Sequence, residues 1–324
     1  MTEFSETQLM SRAAWLYYLG GFNQEETAER LGTTRARVNK LLQLAREEGI
    51  VSITIDTKHN GLMEVEDRIA GRFGLERCIC SPALDLGPAS ERLPEIGAFS
   101  RRAVGSIAAR LLRDFLAAAP EATIGTGWGR TLDQMTRQIA GLNAPKARFV
   151  SLMGSLTANS AFNPFEVVQA LSRITGGEGY FLPVPFIADS PEAREVLISQ
   201  KIVSEVLQMA RKPDMALISV GELTETSLLH STGMLDDQEL AELHRAGAVG
   251  DTNGIFFDNI GRPVEHELNN RTIAVGFDEL RESHTVLLSG GVEKAEATLA
   301  LLNSGIVKTL VIDGDTACRI CDNE

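Results

Sequence analysis

The sequence predicts an α/β protein in two unequal parts: a small helical module over residues 1–56 and a large doubly wound α/β unit over 76–324, joined by a connector over 57–75. Three observations lead there. Up to Gly49, apolar positions recur at helical spacing in three segments. From about residue 76, short β-rich runs alternate with helical stretches, the pattern of a mostly parallel sheet covered on both faces. Between the two lies the polar stretch Asp56–Gly61, which ends on the turn pair Asn60-Gly61. With 324 residues, 44% of them hydrophobic and 23% charged, the chain is long enough for one small and one large folded domain. It has no apolar run of about 18 residues and no basic leader, so neither a membrane span nor a secretory signal is expected, and a cytoplasmic location is.

In the N-terminal module, Glu6–Leu19 carries Leu9, Ala13, Leu16 and Tyr17 at helical spacing and stops at Gly20-Gly21. Asn23 is placed to cap Gln24–Leu31, with Glu26 at the third helical position as a capping box requires. Gly32 ends that helix. Thr33 or Thr34 then caps a third, running to Glu48 over the apolar stripe Val38, Leu41, Leu42 and Ala45. A small residue (Ala28), a glycine turn and an aliphatic anchor (Val38) in this order give the layout of a helix-turn-helix, in which the second helix enters the DNA major groove. The net charge of −13 speaks against nucleic acid only if it is spread evenly, and it is not. Glu25, Glu26 and Glu29 precede Arg35, Arg37, Lys40 and Arg46, with no acid between Arg35 and Arg46. The candidate DNA contacts are Thr33, Thr34, Arg35, Arg37, Asn39 and Lys40: Arg suits guanine, Asn suits adenine, and Thr and Lys suit phosphates. The alternation of Ile50–Ile55 suggests a short wing strand, and Leu62–Phe73 an amphipathic connector helix.

In the large unit, strands are expected at Arg77–Ser81, Ala122–Gly125, Phe149–Met153, Glu178–Leu182, Met215–Val220, Ile255–Asp258, Thr272–Gly276, Thr285–Ser289 and Thr309–Asp313. Helices are expected at Glu95–Ala118, Thr131–Gly141, Phe165–Thr175, Pro191–Ala210, Asp237–Ala246, Val292–Ser304 and Thr316–Cys321. Ligands of such sheets bind beyond the carboxyl ends of strands, so the loops there matter most. Ile124-Gly-Thr-Gly-Trp-Gly-Arg-Thr131 follows a strand and opens a helix. Its glycines let backbone approach an anion while Thr126, Arg130 and Thr131 add donors. It is neither a GxGxxG nor a Walker loop, and a tight turn needing glycine for backbone reasons alone is the plainer reading. In Gly247–Gly254, Asp251 suits sugar hydroxyls or simply caps a turn. In Ser289–Ala295, Lys294 sits in the first helical turn, where the helix dipole disfavours a cation unless an anion is present. Asp313-Gly-Asp315 is expected to cap the tail helix.

Four cysteines (Cys78, Cys80, Cys318 and Cys321) include one CxxC pair, but at the tail and away from any early strand, so packing or free thiols is the expectation rather than zinc or redox chemistry. Five histidines are dispersed without ligand spacing. No metal, cofactor or catalytic residue is assigned.

The chain resembles the SorC family of sugar-responsive transcriptional regulators. The carriers are Gln24–Gly32, Ala45–Val51, Gly127–Thr131, Gly250–Asp258 and Gly290–Ala295, in this order along almost the whole chain. The resemblance implies a winged-helix-like head, an effector domain similar to sugar-phosphate isomerases, and a homo-oligomer, dimer or tetramer, on a palindromic double-stranded operator. It also implies a phosphorylated sugar or polyol as effector. Thr126, Gly127, Trp128, Gly129 and Thr131 would line the pocket, Asp251 would meet hydroxyls, and Lys294 the anionic or hydroxyl end. No role is carried to Glu222. The competing expectation is an isomerase-like enzyme with Asp251, Lys294 and Glu166 as acid and base groups.

Overall fold

The computed structural model describes residues 4–51, 53, 61–85, 94–155 and 164–322. The chain opens with α1 (Glu6–Ala14), which runs on as a π-helical turn over Trp15–Leu19, then α2 (Gln24–Leu31) and α3 (Arg35–Glu47). Local chemistry sets each boundary. Ser5 and Gln8 form a capping box at α1, and Asn23 and Glu26 form another at α2. Gly32 closes α2 in the left-handed region at φ 63°, and the Thr34 hydroxyl accepts from Arg37 N–H to open α3. Met10, Ala13, Ala28, Val38, Leu41, Leu42 and Ala45 are buried together as the core of this module. Of the wing expected at 50–55, residues 52, 54 and 55 lie outside the described residues, and Ile50, Val51 and Ile53 are not in a strand. The connector helix spans Met63–Phe73 and ends at Gly74, φ 65°.

Beyond it lies a seven-stranded, wholly parallel sheet. Its strands are β1 (Arg77–Cys80), β2 (Thr123–Thr126), β3 (Arg148–Ser155), β4 (Glu178–Pro185), β5 (Met215–Ser219), β9 (Thr285–Ser289) and β10 (Thr309–Ile312), in the order β1-β10-β9-β5-β2-β3-β4. Successive side chains enter opposite cores, as the two-residue strand period demands. Ile124, Phe149, Leu217, Leu288 and Val311 join one core with helices Pro94–Ala118, Arg130–Gln138 and Pro164–Thr175. Val150, Ile218, Leu287 and Leu310 join the other, with helices Lys201–Ala210, Ala295–Asn303 and Gly314–Asp322. The predicted doubly wound sheet is therefore present. From β2 the chain winds outward through β3 and β4, then returns to β5 and winds the opposite way through β9 and β10. The switch between β2 and β5 is where such sheets leave a crevice.

A second, three-stranded antiparallel sheet, β6 (Gly221–Glu222), β7 (Ala248–Thr252) and β8 (Ile255–Asp258), stands beside that crevice over a third apolar cluster that includes Trp128, Phe186 and Phe256. Here and beyond, the structure corrects several expectations. The stretch around Asp251 is not an open loop but a hairpin, turning at Asn253 (φ 49°) and Gly254 (φ 72°). Two consecutive positive φ angles are what a two-residue Asn-Gly hairpin turn requires. Thr272–Gly276 is not a strand. It makes only isolated bridges, Thr272 to Ile187 and Ala274 to Met153, because it bonds first to the segment at 186–188 and then to the one at 152–154 without laddering along either. The single helix expected over 191–210 is two, broken at Gln200, whose ψ of 132° is extended. The stretch after Gly291 starts as a 3-10 turn, Val292–Lys294, and the tail helix begins at Gly314.

Phe149 is fully buried at the centre of the first core. Truncation to Ala should cost about 3–5 kcal/mol of unfolding free energy through lost burial and the cavity left behind. Urea denaturation checks this, and a loss below about 1 kcal/mol would show that this face is not closely packed.

Candidate functional site

The carboxyl ends of β2, β5 and β9 meet the small sheet, and each contributes a glycine-bearing turn. After β2, Gly127 donates its N–H to Leu217 O at 2.8 Å, so that amide is already used by the sheet. A Cβ on Gly127 would lie 2.5 Å from Asn253 Oδ1. Trp128 turns inward beside Phe186, 6.4 Å between ring centres, and its carbonyl accepts from Ser219 Oγ at 2.8 Å. Gly129, at φ 117°, then starts helix Arg130–Gln138, a backbone angle that favours glycine. After β9, a Cβ on Gly290 would press on the Arg101 backbone at 3.0 Å, so only glycine lets helix Pro94–Ala118 approach so closely. The Gly291 N–H donates to Asp313 Oδ2 at 2.7 Å, while Asp313 also takes the Thr316 N–H and hydroxyl. Asp313 thus caps the tail helix, as expected, and also pins the turn that carries Lys294.

These turns enclose a narrow cleft lined by Trp128, Gly129, Arg130, Ser219, Gly221, Glu222, Asp251, Asn253 and Lys294, among others. Its charges are dense and largely dry. Lys294 is 5% exposed, and among the described residues its ammonium makes no hydrogen bond or ion pair. Burial holds its ammonium below the usual lysine range, opposed by Glu222. Arg130 reaches Glu222 at 3.4 Å, and Arg101 reaches Glu293 at 3.5 Å. Burial lowers the Arg101 pKa, and Arg130 lowers it further. Asp251 is pushed up to about 6, first by burial and then by Glu222, against the Gly254 N–H it accepts at 3.1 Å. Among the described residues, three buried polar atoms in and beneath these turns have no hydrogen-bond partner: Asn253 Nδ2, Thr126 Oγ1 and Thr131 Oγ1. An orphaned buried donor costs about 1–3 kcal/mol, which a hydroxylated ligand reaching Asn253 would recover.

Of the residues expected to line the pocket, Trp128, Gly129, Asp251 and Lys294 do so. Thr126, Gly127 and Thr131 lie outside the lining; both threonines are buried. Arg101, Glu222 and Asn253 were not assigned from sequence. Arg101 sits in a long amphipathic helix far from any motif, and Glu222 in a two-residue strand. Asn253 alone carried a signal, the Asn-Gly turn pair. The competing acid and base set is not assembled. Glu166 is exposed on helix Pro164–Thr175 and lines a different cleft with Glu47, Glu48, Gly49 and Arg137, between the helical module and the large unit. The four cysteines are unbridged; three are buried and Cys318 is half-buried. Among the described residues, no cluster of three or more His, Cys, Asp or Glu side chains could hold a metal, and no helix is long and apolar enough to cross a membrane.

On the N-terminal module, Thr34, Arg35, Asn39 and Lys40 are exposed on α3, and Thr33 and Arg37 are half-buried. Arg37 is held by Glu6 at 2.8 Å and Arg35 leans on Gln24 at 3.4 Å. Behind α3, Gly49 abuts the Arg137 carbonyl, where a Cβ would stand 3.3 Å away, and Ser106 Oγ donates to Ile53 O at 3.0 Å. Helix Arg130–Gln138 therefore touches the module at one end and the charged cleft at the other, and Gly129 lines both clefts.

The raised Asp251 pKa makes a signed prediction. Between its ordinary value of 3.8 and about 6, the folded protein keeps a proton that the unfolded chain releases, so stability falls as pH rises through that window. The fall attributable to this group is about 3 kcal/mol. In Asp251→Asn it should vanish, which urea midpoints at pH 4, 5, 6 and 7 would reveal. An unchanged pH slope in the variant would contradict the burial of an ionised carboxylate here.

Residues 57–321 match the family model described as "Putative sugar-binding domain". The chain is 34% identical over 313 residues to the erythritol catabolism regulatory protein EryD of Brucella abortus, covering 97% of this chain and 96% of that protein. In fold it is similar to a DeoR family transcriptional regulator from Listeria monocytogenes (TM-score 0.71, 24% identity, 79% of this chain and 98% of that one). It is also similar to the full-length sorbitol operon regulator SorC from Klebsiella pneumoniae (TM-score 0.69, 21% identity, 97% of this chain and 99% of that one). The chain belongs, over almost its whole length, to the SorC-type family of sugar-binding transcriptional regulators.

Proposed function

We propose that this protein is a DNA-binding transcriptional regulator of a carbohydrate or polyol catabolic operon, whose operator affinity is set by a phosphorylated sugar or polyol bound in the charged cleft. The observation that carries the effector half is Lys294: a buried lysine whose ammonium has no direct counter-ion among the described residues, beside Arg101 and Arg130 and lining a cleft. A buried cation of this kind is costly in isolation, and an anionic ligand is the partner that removes the cost. Asp251 and Asn253 supply an acceptor and an unused donor for hydroxyls. The relatedness to a regulator named for erythritol catabolism supports the same ligand chemistry.

The DNA half reads α2 and α3 as a winged-helix-like helix-turn-helix, with α3 in the major groove. Thr33, Thr34, Arg35, Arg37, Asn39 and Lys40 are its contacts, and Thr34 N–H and the first turn of α3 face phosphate. A homo-oligomer, dimer or tetramer, presents paired heads to a palindromic operator in the cytoplasm. The large unit is read as an isomerase-like scaffold used for binding and not for turnover, since Asp251 and Lys294 stand apart from Glu166. Thr126, Gly127, Trp128, Gly129 and Thr131 shape the effector turn, with Thr126 and Thr131 acting from beneath it.

Helix Arg130–Gln138 is the coupling element in this reading. An anion drawn to Arg130 competes with Glu222, and the opposite end of the same helix bears on Gly49 at the exit of α3. Ligand then shifts the head only as far as it binds one helix position better than the other.

Titration of the full-length protein against a duplex selected from a random library, with and without a panel of sugar and polyol phosphates, tests the proposal. At least one compound should move operator affinity by about 5- to 150-fold, the usual span of such couplings. Lys40→Ala should weaken binding to all duplexes and lower the salt slope by about 1. Indifference to every phosphorylated compound would sink the sensing claim, and an unaltered salt slope the assignment of Lys40.

A further inference from the structure

Arg101, Arg130 and Lys294, at and beside the cleft, are met by Glu293, Glu222 and Asp251, and the two deeply buried acids come from a different element from the cations. Arg101, Arg130 and Lys294 come from helix Pro94–Ala118 and from the turns after β2 and β9. Glu222 and Asp251 come from β6 and β7 of the small sheet, where Gly221 pairs with Asp251 and Glu222 with Gly250. The Asp251 carboxylate lies across Gly221 so closely that any Cβ there would collide with it. Both acids are at least nine-tenths buried. Glu222 already neutralises Arg130 and Glu293 neutralises Arg101, which leaves Lys294 as the cation of the cleft without a direct ion pair. Lys294 is therefore where one incoming anion can pair directly. A second anion would sit against Glu222 and Asp251, where low dielectric magnifies repulsion. Hydroxyls meet no such penalty: they donate to both carboxylates and accept from the unpartnered Asn253 Nδ2.

We propose that Glu222, backed by Asp251, is a charge filter that restricts the effector to molecules with a single anionic group and an uncharged, hydroxyl-bearing remainder. The anion seats on Lys294 and shares Arg130 with Glu222. The neutral remainder lies along β6 and β7, and compounds bearing a second phosphate or a carboxylate at that end are turned away. This deepens, and rests on, the reading of the cleft as a phosphorylated-effector site.

Calorimetric titration of the full-length protein provides the test. The probes are inorganic phosphate and four monophosphates: glycerol 3-phosphate, erythrose 4-phosphate, ribose 5-phosphate and fructose 6-phosphate. Each monophosphate is paired with a two-anion counterpart, respectively 3-phosphoglycerate, 4-phosphoerythronate, ribulose 1,5-bisphosphate and fructose 1,6-bisphosphate. The best monophosphate should bind at least about tenfold tighter than its counterpart, and Glu222→Gln should bring the two within about threefold, a differential that like-charge repulsion in a buried site supports. Glu222→Asp should keep the discrimination. Asp251→Asn reports on the same ratio and should reduce it, so the outcome does not hang on one variant folding. Equal or tighter binding of the two-anion compounds by the unmodified protein would overturn the filter while leaving the effector class intact. So would a ratio that survives both neutral variants. Failure of inorganic phosphate and of every monophosphate to bind would instead remove the phosphorylated-effector reading, and the filter with it.

Discussion

The burial of ionised groups at the switch between β2 and β5 is the constraint on which the rest of this molecule depends. A parallel sheet directs its strand ends, and the helix N-termini that follow them, into one crevice. In this chain the crevice receives Lys294, Arg101 and Arg130 together with Glu222 and Asp251. Withdrawing such groups from water is costly unless they are matched by hydrogen bonds and counter-charges. The surrounding architecture supplies most of that matching. Asp313 fixes the turn before Lys294, Glu222 meets Arg130, and the Gly254 N–H meets Asp251. What stays unmatched, the Lys294 ammonium and the Asn253 amide, faces the cleft and defines its chemistry.

The small antiparallel sheet makes this matching selective. It arises because Asn253-Gly254 can adopt two positive φ angles in succession, which folds β8 back on β7 and brings Asp251 opposite Gly221. A side chain at position 221 would expel the carboxylate from this place. The glycines at 127, 129, 221 and 290 thus share one function: each lets a backbone or side chain come closer than a Cβ would permit. The Gly127 amide is not free to cradle a phosphate, since it already belongs to the sheet.

Helix Arg130–Gln138 joins the charged cleft to the N-terminal module across one rigid element. Its first residue carries the cation nearest Glu222, and the carbonyl of Arg137 in its last turn meets Gly49 just past α3. Asp133, between them, pairs with Arg137 at 2.8 Å along the helix surface.

Much of this was legible in the linear order of residues, and the division follows the range of the interactions. The three N-terminal helices, their capping residues Asn23 and Thr34, the basic run on α3, the parallel sheet and the placing of Lys294 in a turn after a strand all rest on chemistry within a few positions of each residue. Periodicity, caps and glycine turns are local, so the sequence by itself determined them. The hairpin at 248–258 was misread despite its Asn-Gly pair, because the apolar alternation that marks a strand is absent from Ala248–Thr252. The absence of a strand at Thr272–Gly276 depended on its dividing its hydrogen bonds between two partners distant in the chain, which no local pattern records. The convergence of Arg101, Glu222 and Asn253, which are far apart in the chain, was decided only by the tertiary structure. Electrostatic matching in a buried crevice is a property of groups that the winding of the sheet brings together, and each of these residues, in its own segment, looks like an ordinary surface side chain.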